Sequence, residues 1–180
     1  RNTVGILPNL LNTLYIILVA MVVVLPLGVG AAIYLTEYAT SGRLVRIIEF
    51  AAETLTGIPS IIFGLVGMML FVQKLGLQAG ILAGGLTLVM MILPTIITVS
   101  KNALDAVPRS YYEGALALGA THESSVFRII VPAAFSGIMA SVVLGVGRAI
   151  GETMAVVMVA GNQAVIPSSI FDGVRTMTAN

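Results

Sequence analysis

Long apolar runs set the strongest limit on how this chain can fold. Three of the four runs contain no charged residue, and the fourth contains only Arg148 and Glu152. A helix needs about 20 mostly apolar residues to cross a hydrocarbon core about 30 Å thick, and inside lipid its backbone groups must pair within the segment. The sequence therefore predicts an all-α, polytopic membrane helix bundle, organised as one domain over residues 1–180. The four predicted spans lie at about residues 10–34, 55–72, 80–99 and 133–160.

Composition supports the membrane interpretation and excludes several other classes. Charged residues make up 9% of the chain, against roughly 25% in an ordinary soluble domain, and the mean hydropathy is +1.05. The chain has no Cys and a single His, His122, so disulfide frameworks and the usual zinc clusters are excluded and no metal site is predicted. A net charge of +1 is too small to indicate a nucleic-acid surface.

The polar stretch at residues 101–131, between the third and fourth runs, predicts two short helices. Pro108 disfavours helix upstream, and Ser110 and Glu113 stand at the spacing of a capping box. The first short helix is therefore expected to begin near Tyr111.

The second half of this stretch contains further residues that favour the end or the start of a helix. Gly119 suits the left-handed residue that closes a helix, Thr121 can cap the next helix, and Pro132 fits the start of the following apolar run. A helix, a Gly-containing turn and a helix would form a compact projection at a membrane face, which a soluble partner could bind.

Basic residues favour a cytoplasmic location for residues 101–131, by five to three. With that orientation the inside residues are Arg43, Arg46, Lys101, Arg109 and Arg128, and the outside residues are Arg1, Lys74 and Arg175.

The spacing within this stretch resembles the Glu-Ala-Ala ("EAA") loop of bacterial ABC importer permeases. Gly114 stands where that motif has Ala, and Val131 where it has Leu. The strings at 56–60, 106–110 and 147–153 are also similar to the permeases of phosphate importers, of the PstA and PstC type. The residues that match the loop, or stand at its positions, are Glu113, Gly114, Ala115, Gly119, Ile129 and Pro132.

The resemblance implies a MetI-like, type I permease core: the membrane subunit of an ATP-driven phosphate importer in the bacterial inner membrane. Its implied partners are a second permease subunit, nucleotide-binding ATPase subunits, an extracytoplasmic phosphate-binding protein, phosphate and membrane lipid. ATP and Mg²⁺ would bind the partner ATPase, and this chain would hold no cofactor. Related permeases have a further helix at one or both ends, so four spans are expected to form the middle of a longer bundle.

The resemblance also implies that the stretch docks into a cleft on the ATPase. Apolar residues in it are spaced for two faces that would contact that cleft, and an ordinary cytoplasmic hairpin lying on the membrane is the alternative. The first face is Tyr111, Ala115 and Leu118, and the second is Val126, Ile129 and Ile130.

Arg148 and Glu152 are the most expensive residues to place in lipid. At a rise of about 1.5 Å per residue, Arg148 is expected roughly 22 Å beyond Ala133, inside the bilayer and past its middle toward the external side. A four-residue spacing would put both side chains on one helix face, pointing into the bundle. Either the two pair and brace helices, or Arg148 binds an oxyanion while Glu152 positions it. In the permeases that the chain resembles, the matching Arg and Glu line the translocation route.

Thr56, Gly57 and Ser60 open the second run around Pro59. Free amides and hydroxyls at such a helix start could meet an anion and line the pore, although a simple helix start after the amphipathic segment 43–53 is the alternative.

Signatures of the common enzymes are absent from the sequence. It has no Gly-x-x-x-x-Gly-Lys phosphate loop, no His-Glu-x-x-His and no Gly-x-Ser-x-Gly, so the chain is predicted to be a transport subunit whose energy comes from a partner. A permease for sulfate or molybdate, and a secondary transporter driven by an ion gradient, remain the alternative functions.

Overall fold

The computed structural model describes residues 6–152, 154–161, 170–173 and 176. Every regular element in these residues is helical, which confirms the predicted all-α class. The first four helices are α1 (Ile6–Tyr38), α2 (Gly42–Thr56), α3 (Ser60–Lys74) and α4 (Ile81–Asp105). The next four are α5 (Arg109–Ala117), α6 (His122–Ala133), α7 (Phe135–Gly151) and α8 (Met154–Ala160).

Two helices, α1 and α4, are individually long and apolar enough to cross a membrane. Both exceed the predicted runs, and α4 continues through residues 101–105, which the sequence assigned to the polar stretch. Lys101 explains the extension, because its ammonium group lies 2.6 Å from Asp105 one turn later and 2.9 Å from Glu49 of α2. These ion pairs stabilise a charged last turn of α4, although hydropathy alone predicts that the helix ends before this turn.

A bend lies near the start of the second predicted span and another at the start of the fourth, so α3 and α7 begin at Ser60 and Phe135 rather than at residues 55 and 133. α2 and α3 meet at 102°, and α6 and α7 meet at 62°. The first bend lies at residues 57–59, where Pro59 takes an extended conformation and α3 begins directly after it. The second bend lies at Ala134, two residues beyond Pro132.

The fourth predicted span also breaks near its far end. Glu152 has an extended backbone with ψ of 124°, so α7 ends at Gly151 and the chain re-enters helix at Met154. α8 then packs against α3 and α4.

α4 is the central helix of the bundle. A Cβ at Gly28 would lie 2.5 Å from Ile96 Cγ2, and one at Gly85 would lie 2.7 Å from Val19, so α1 and α4 run in the same direction at close approach. α7 runs antiparallel to α4, and the hydroxyls of Ser100 and Ser141 lie 3.0 Å apart between them.

The outer surface of the bundle is apolar. Leu14, Leu18 and Val22 follow one another at four-residue spacing along an exposed face of α1, and Val143 and Leu144 are exposed on α7. Such surfaces suit lipid or other membrane helices, so the chain is a multi-pass membrane protein.

Candidate functional site

Arg148 lies within the bundle, one turn before the end of α7. Its Nη1 donates a hydrogen bond to Thr95 Oγ1 of α4 at 3.1 Å, and the pair is partly buried. Ala149, the next residue, is buried in the main apolar cluster. The guanidinium group therefore faces α4 rather than the outer surface, as the sequence predicted for a charge within a span.

The contact with Thr95 gives the position of Arg148 along α4. Thr95 is 14 residues from Ile81 and 10 residues from Asp105, or about 21 Å and 15 Å along the helix. Arg148 therefore meets α4 near its middle, nearer to the Asp105 end, which the basic residues mark as cytoplasmic. The depth of Arg148 in the bilayer stays a prediction.

Glu152 does not share a helix face with Arg148, so that prediction was wrong. α7 ends before Glu152. The Oε1 of Glu152 accepts a hydrogen bond from the Ala155 amide at 3.2 Å. An acidic side chain that caps a helix start is a strong local preference, and here it replaces the expected i, i+4 pair. No ion pair joins these two described residues.

Thr56, Gly57 and Ser60 surround the bend between α2 and α3. The Thr56 hydroxyl donates to the Glu53 carbonyl at 2.6 Å, Gly57 caps α2, and Ser60 is the first residue of α3. Thr56 and Gly57 are exposed at this corner. This arrangement matches the alternative interpretation, a simple helix start, and a pore-lining role stays a prediction.

Helices α5 and α6 form a two-helix knob, defined here as residues 109–133. Gly119 has φ of +84°, and Thr121 Oγ1 accepts a hydrogen bond from the Ser124 amide at 3.3 Å, so both predicted turn signals are confirmed. The predicted capping box is wrong, because α5 begins at Arg109 and Ser110 already lies inside it. Pro108 holds the capping position instead, with no side-chain hydrogen bond.

The two apolar faces predicted for the knob are divided differently in the structure. Ala115, Val126 and Ile130 are buried against the protein, whereas Leu118 is 91% exposed. Leu116 and Phe127, which belong to neither predicted face, are also exposed. The apolar side chains that the knob presents outward are Tyr111, Leu116, Leu118 and Phe127.

The motif residues fall on both sides of the knob. Glu113, Gly114, Gly119 and Pro132 are exposed, while Ala115 faces inward and Ile129 is half-buried. A Cβ at Gly114 would meet no heavy atom within 4 Å, so the Ala that the motif carries at this position would fit without strain.

A polar cluster that the sequence analysis did not single out connects the knob to α1. The Tyr112 hydroxyl and His122 Nδ1 lie 2.9 Å apart, and the edge of the Tyr38 ring meets His122 with centroids at 4.9 Å. The cluster borders a cavity of about 310 Å³ that also contains Glu37 and Arg109. The sequence shows His122 with Tyr112 ten positions earlier, but only the folded bundle brings the distant Tyr38 next to His122.

A comparison with protein families decides the class of this bundle. The family described as "Binding-protein-dependent transport system inner membrane component" matches residues 24–179, which include the second half of α1 and all the later helices. The chain belongs to this family. The match covers Arg148, Thr95 and the two-helix knob.

Several curated proteins are similar to this member of the transport-system family. The probable ABC transporter permease protein YqgH of Bacillus subtilis is 39% identical over 181 residues, covering 97% of this chain and 58% of YqgH. The phosphate transport system permease protein PstC of Haemophilus influenzae is 36% identical, covering 93% and 61%. PstA 1 of Mycobacterium tuberculosis, also a phosphate transport system permease protein, is 35% identical, covering 94% and 55%. The chain thus spans between 55% and 61% of the length of these relatives.

Proposed function

We propose that this chain forms the translocation path of an ATP-driven phosphate importer in the bacterial inner membrane. Family membership and the similarity to PstC and PstA 1 support this function. The observation that carries the proposal is Arg148, a cation inside an apolar bundle whose hydrogen-bond partner is the Thr95 hydroxyl and not a carboxylate. A neutral partner leaves the charge available to an anion.

The chemistry of Arg148 suits a tetrahedral oxyanion. A guanidinium group has five N–H donors in a planar fork, which matches phosphate oxygens. A central Arg costs about 2.5–3.5 kcal/mol on insertion scales, so an uncompensated one points to a function. Thr95 satisfies part of the donor set and orients the fork, and the remaining donors bind phosphate transiently as it passes.

The two-helix knob would receive the motion of the ATPase subunits. Its exposed apolar side chains, with Leu118 at the tip, form a surface suited to a groove on a soluble partner. An extracytoplasmic phosphate-binding protein would deliver phosphate to the opposite side, and a second permease subunit would complete the path. ATP and Mg²⁺ bind the partner ATPase, and this chain supplies the translocation path and the knob that receives the motion of the ATPase.

Two routes lead from the knob into the spans. α6 continues into α7 across the 62° bend, and α7 carries Arg148. The contacts of His122 with Tyr112 and Tyr38 join α6, α5 and the end of α1. A push on the knob therefore reaches both α1 and the helix that holds the anion-binding cation, which is what alternating access requires.

Uptake of labelled phosphate tests the role of Arg148. In reconstituted vesicles that contain the full assembly and enclose ATP, Arg148→Ala should reduce uptake to background while the ATPase copurifies in the same amount. Arg148→Lys should keep only part of the activity, because an ammonium group lacks the bidentate fork. The matched control is Lys74→Ala, an exposed cation outside the bundle, which should transport normally. Wild-type uptake by Arg148→Ala would remove Arg148 from the path.

Two competitors distinguish the other transport functions. Excess sulfate or molybdate should leave phosphate uptake unchanged, whereas inhibition equal to that by unlabelled phosphate would indicate a permease for another oxyanion. Vanadate should stop uptake by trapping the ATPase. Uptake that continues in vanadate and collapses with the ion gradient would indicate a secondary transporter.

A further inference from the structure

Helix α2 lies across the direction of the spans. It meets α3 at 102°, and α1 ends only four residues before it begins. Ser41 caps its start by accepting a hydrogen bond from the Leu44 amide at 3.5 Å. Because α3 returns into the bundle, a helix nearly perpendicular to it at this end runs along the membrane surface. The basic residues mark that surface as cytoplasmic.

Contacts with α4 fix the rotation of α2 about its own axis. Ala52 is 5% exposed and faces α4, and Glu49 forms an ion pair with Lys101 at 2.9 Å. Ile48 lines the same small gap between the two helices. These contacts fix which faces of α2 remain exposed, because the helix cannot rotate about its axis without breaking them.

The open faces of α2 are amphipathic. An apolar flank runs at helical spacing through Leu44, Ile47, Ala51 and Leu55, and all four are exposed, with Ile47 at 65%. Glu53 and Arg46 lie on the opposite flank, also exposed. A helix that presents apolar residues on one side and charges on the other, parallel to a membrane, is typical of the headgroup boundary.

Arg43 lies at the rim between these flanks, and Arg46 lies beside it on the charged flank. Arg43, Arg46, Ile47 and Phe50 line a shallow depression of about 390 Å³, in which Phe50 is 72% exposed. The ion pairs among the described residues belong to Lys101, so neither arginine has a carboxylate partner there. The depression thus combines two available guanidinium groups with an apolar floor.

We propose that this depression binds the headgroup of an anionic phospholipid of the cytoplasmic leaflet. Arg43 and Arg46 contact the phosphodiester, and the first part of an acyl chain lies along Ile47 and Phe50 on its way into the bilayer. A basic residue near an anionic surface contributes about 1 kcal/mol, so two of them select anionic over zwitterionic lipid. The lipid would hold α2 at the membrane and so fix the corner from which α3 turns inward. This inference does not depend on the transported substrate.

Nitroxide depth measurements test the placement of α2. The full assembly is reconstituted in nanodiscs of phosphatidylcholine with phosphatidylglycerol, in a background without other cysteines, and labelled at Ile47→Cys or at Glu53→Cys. From collision rates with oxygen and a nickel chelate, the label at position 47 should lie about 5–10 Å below the headgroups. The label at position 53 should be in water. Equal water exposure of both labels, or a label at 47 shielded from both reagents by a second permease subunit, would overturn the proposal.

Lipid selectivity tests the arginines. Fluorescent phosphatidylglycerol is titrated into phosphatidylcholine nanodiscs that contain the assembly, and binding is read by energy transfer from a dye at Ala51→Cys. Each of Arg43→Gln and Arg46→Gln should weaken binding about fivefold. The matched control Arg128→Gln, an exposed cation of the knob, should leave it unchanged. Unchanged binding in the Arg43→Gln/Arg46→Gln variant would overturn the proposal. Displacement of the lipid by millimolar inorganic phosphate would also overturn it, since the site would then bind free phosphate.

Discussion

At the scale of single residues, the proposed phosphate path depends on the pair of Arg148 and Thr95. A threonine hydroxyl both accepts from the guanidinium group and retains a proton that can be donated onward. An Arg held by a carboxylate would be neutralised and would bind phosphate only after that pair separated. The hydroxyl partner therefore keeps the cation positioned and chemically available.

We expect Thr95→Val to reduce phosphate uptake at low phosphate concentration about tenfold, without loss of assembly. Valine keeps the shape of threonine but removes a hydrogen bond to a charged group, which is worth about 1.5–3 kcal/mol. Initial uptake rates at several phosphate concentrations measure the effect, and Thr95→Ser should restore most of it.

The control for this variant is Thr98→Val, a half-buried threonine one turn further along α4 that lines the gap beside α2. It makes the same chemical change without touching Arg148. Equal losses in both variants would mean that α4 tolerates no valine in this region, and would contradict a specific role for Thr95.

At the scale of elements, two glycines of the knob are expected to behave in opposite ways. Gly119 has φ of +84°, where a Cβ costs about 1–2 kcal/mol, so Gly119→Ala should lower the thermal midpoint of the purified assembly and weaken coupling. Gly114 lies inside α5 with open space around it, so Gly114→Ala should raise helix stability by about 1 kcal/mol. Thermal unfolding and phosphate-dependent ATPase rates of the two variants provide the comparison.

The opposite order of these midpoints would contradict the left-handed turn at Gly119. A stable Gly119→Ala variant with normal ATPase coupling would also show that the angle between α5 and α6 has no part in transmission.

At the scale of the whole molecule, close packing makes α4 and α7 one rigid unit. A Cβ at Gly145 would lie 2.9 Å from Ile96, and one at Gly137 would lie within 2.4 Å of Ala103, so the helices cannot slide without separating. Alternating access should then arise from movement of this unit against its partners, as in other transporters that move rigid bundles.

Oxidative crosslinking tests this rigidity. The hydroxyls of Ser100 and Ser141 lie 3.0 Å apart, so Ser100→Cys/Ser141→Cys should form a disulfide readily, and the 180 residues contain no other Cys. Phosphate uptake should be nearly equal before and after oxidation. A loss of uptake that a reductant reverses would contradict the rigid unit and place the moving boundary between α4 and α7. Each single Cys variant serves as the control for oxidation itself.

Local signals in the sequence determined the helical class and many of the helix ends and turns. Apolar length identified the membrane segments, and Pro59, Pro108, Gly119 and Thr121 each mark a turn or a helix start that the structure contains. Such signals act within one or two turns of backbone, where steric limits and capping hydrogen bonds are decided by neighbouring residues.

Only the tertiary structure decided the partners and the directions of side chains. Arg148 meets Thr95, 53 positions earlier, because α7 packs antiparallel on α4 in one register. The same packing turned Ala115 inward and left Leu118 exposed, although both share helical spacing. Hydropathy gives the length of an apolar run but not the angle between helices at its bends, so the 102° and 62° corners could not be predicted from it. Helical periodicity in the sequence predicts which residues share a face, and the element packed against that face decides which of them are buried.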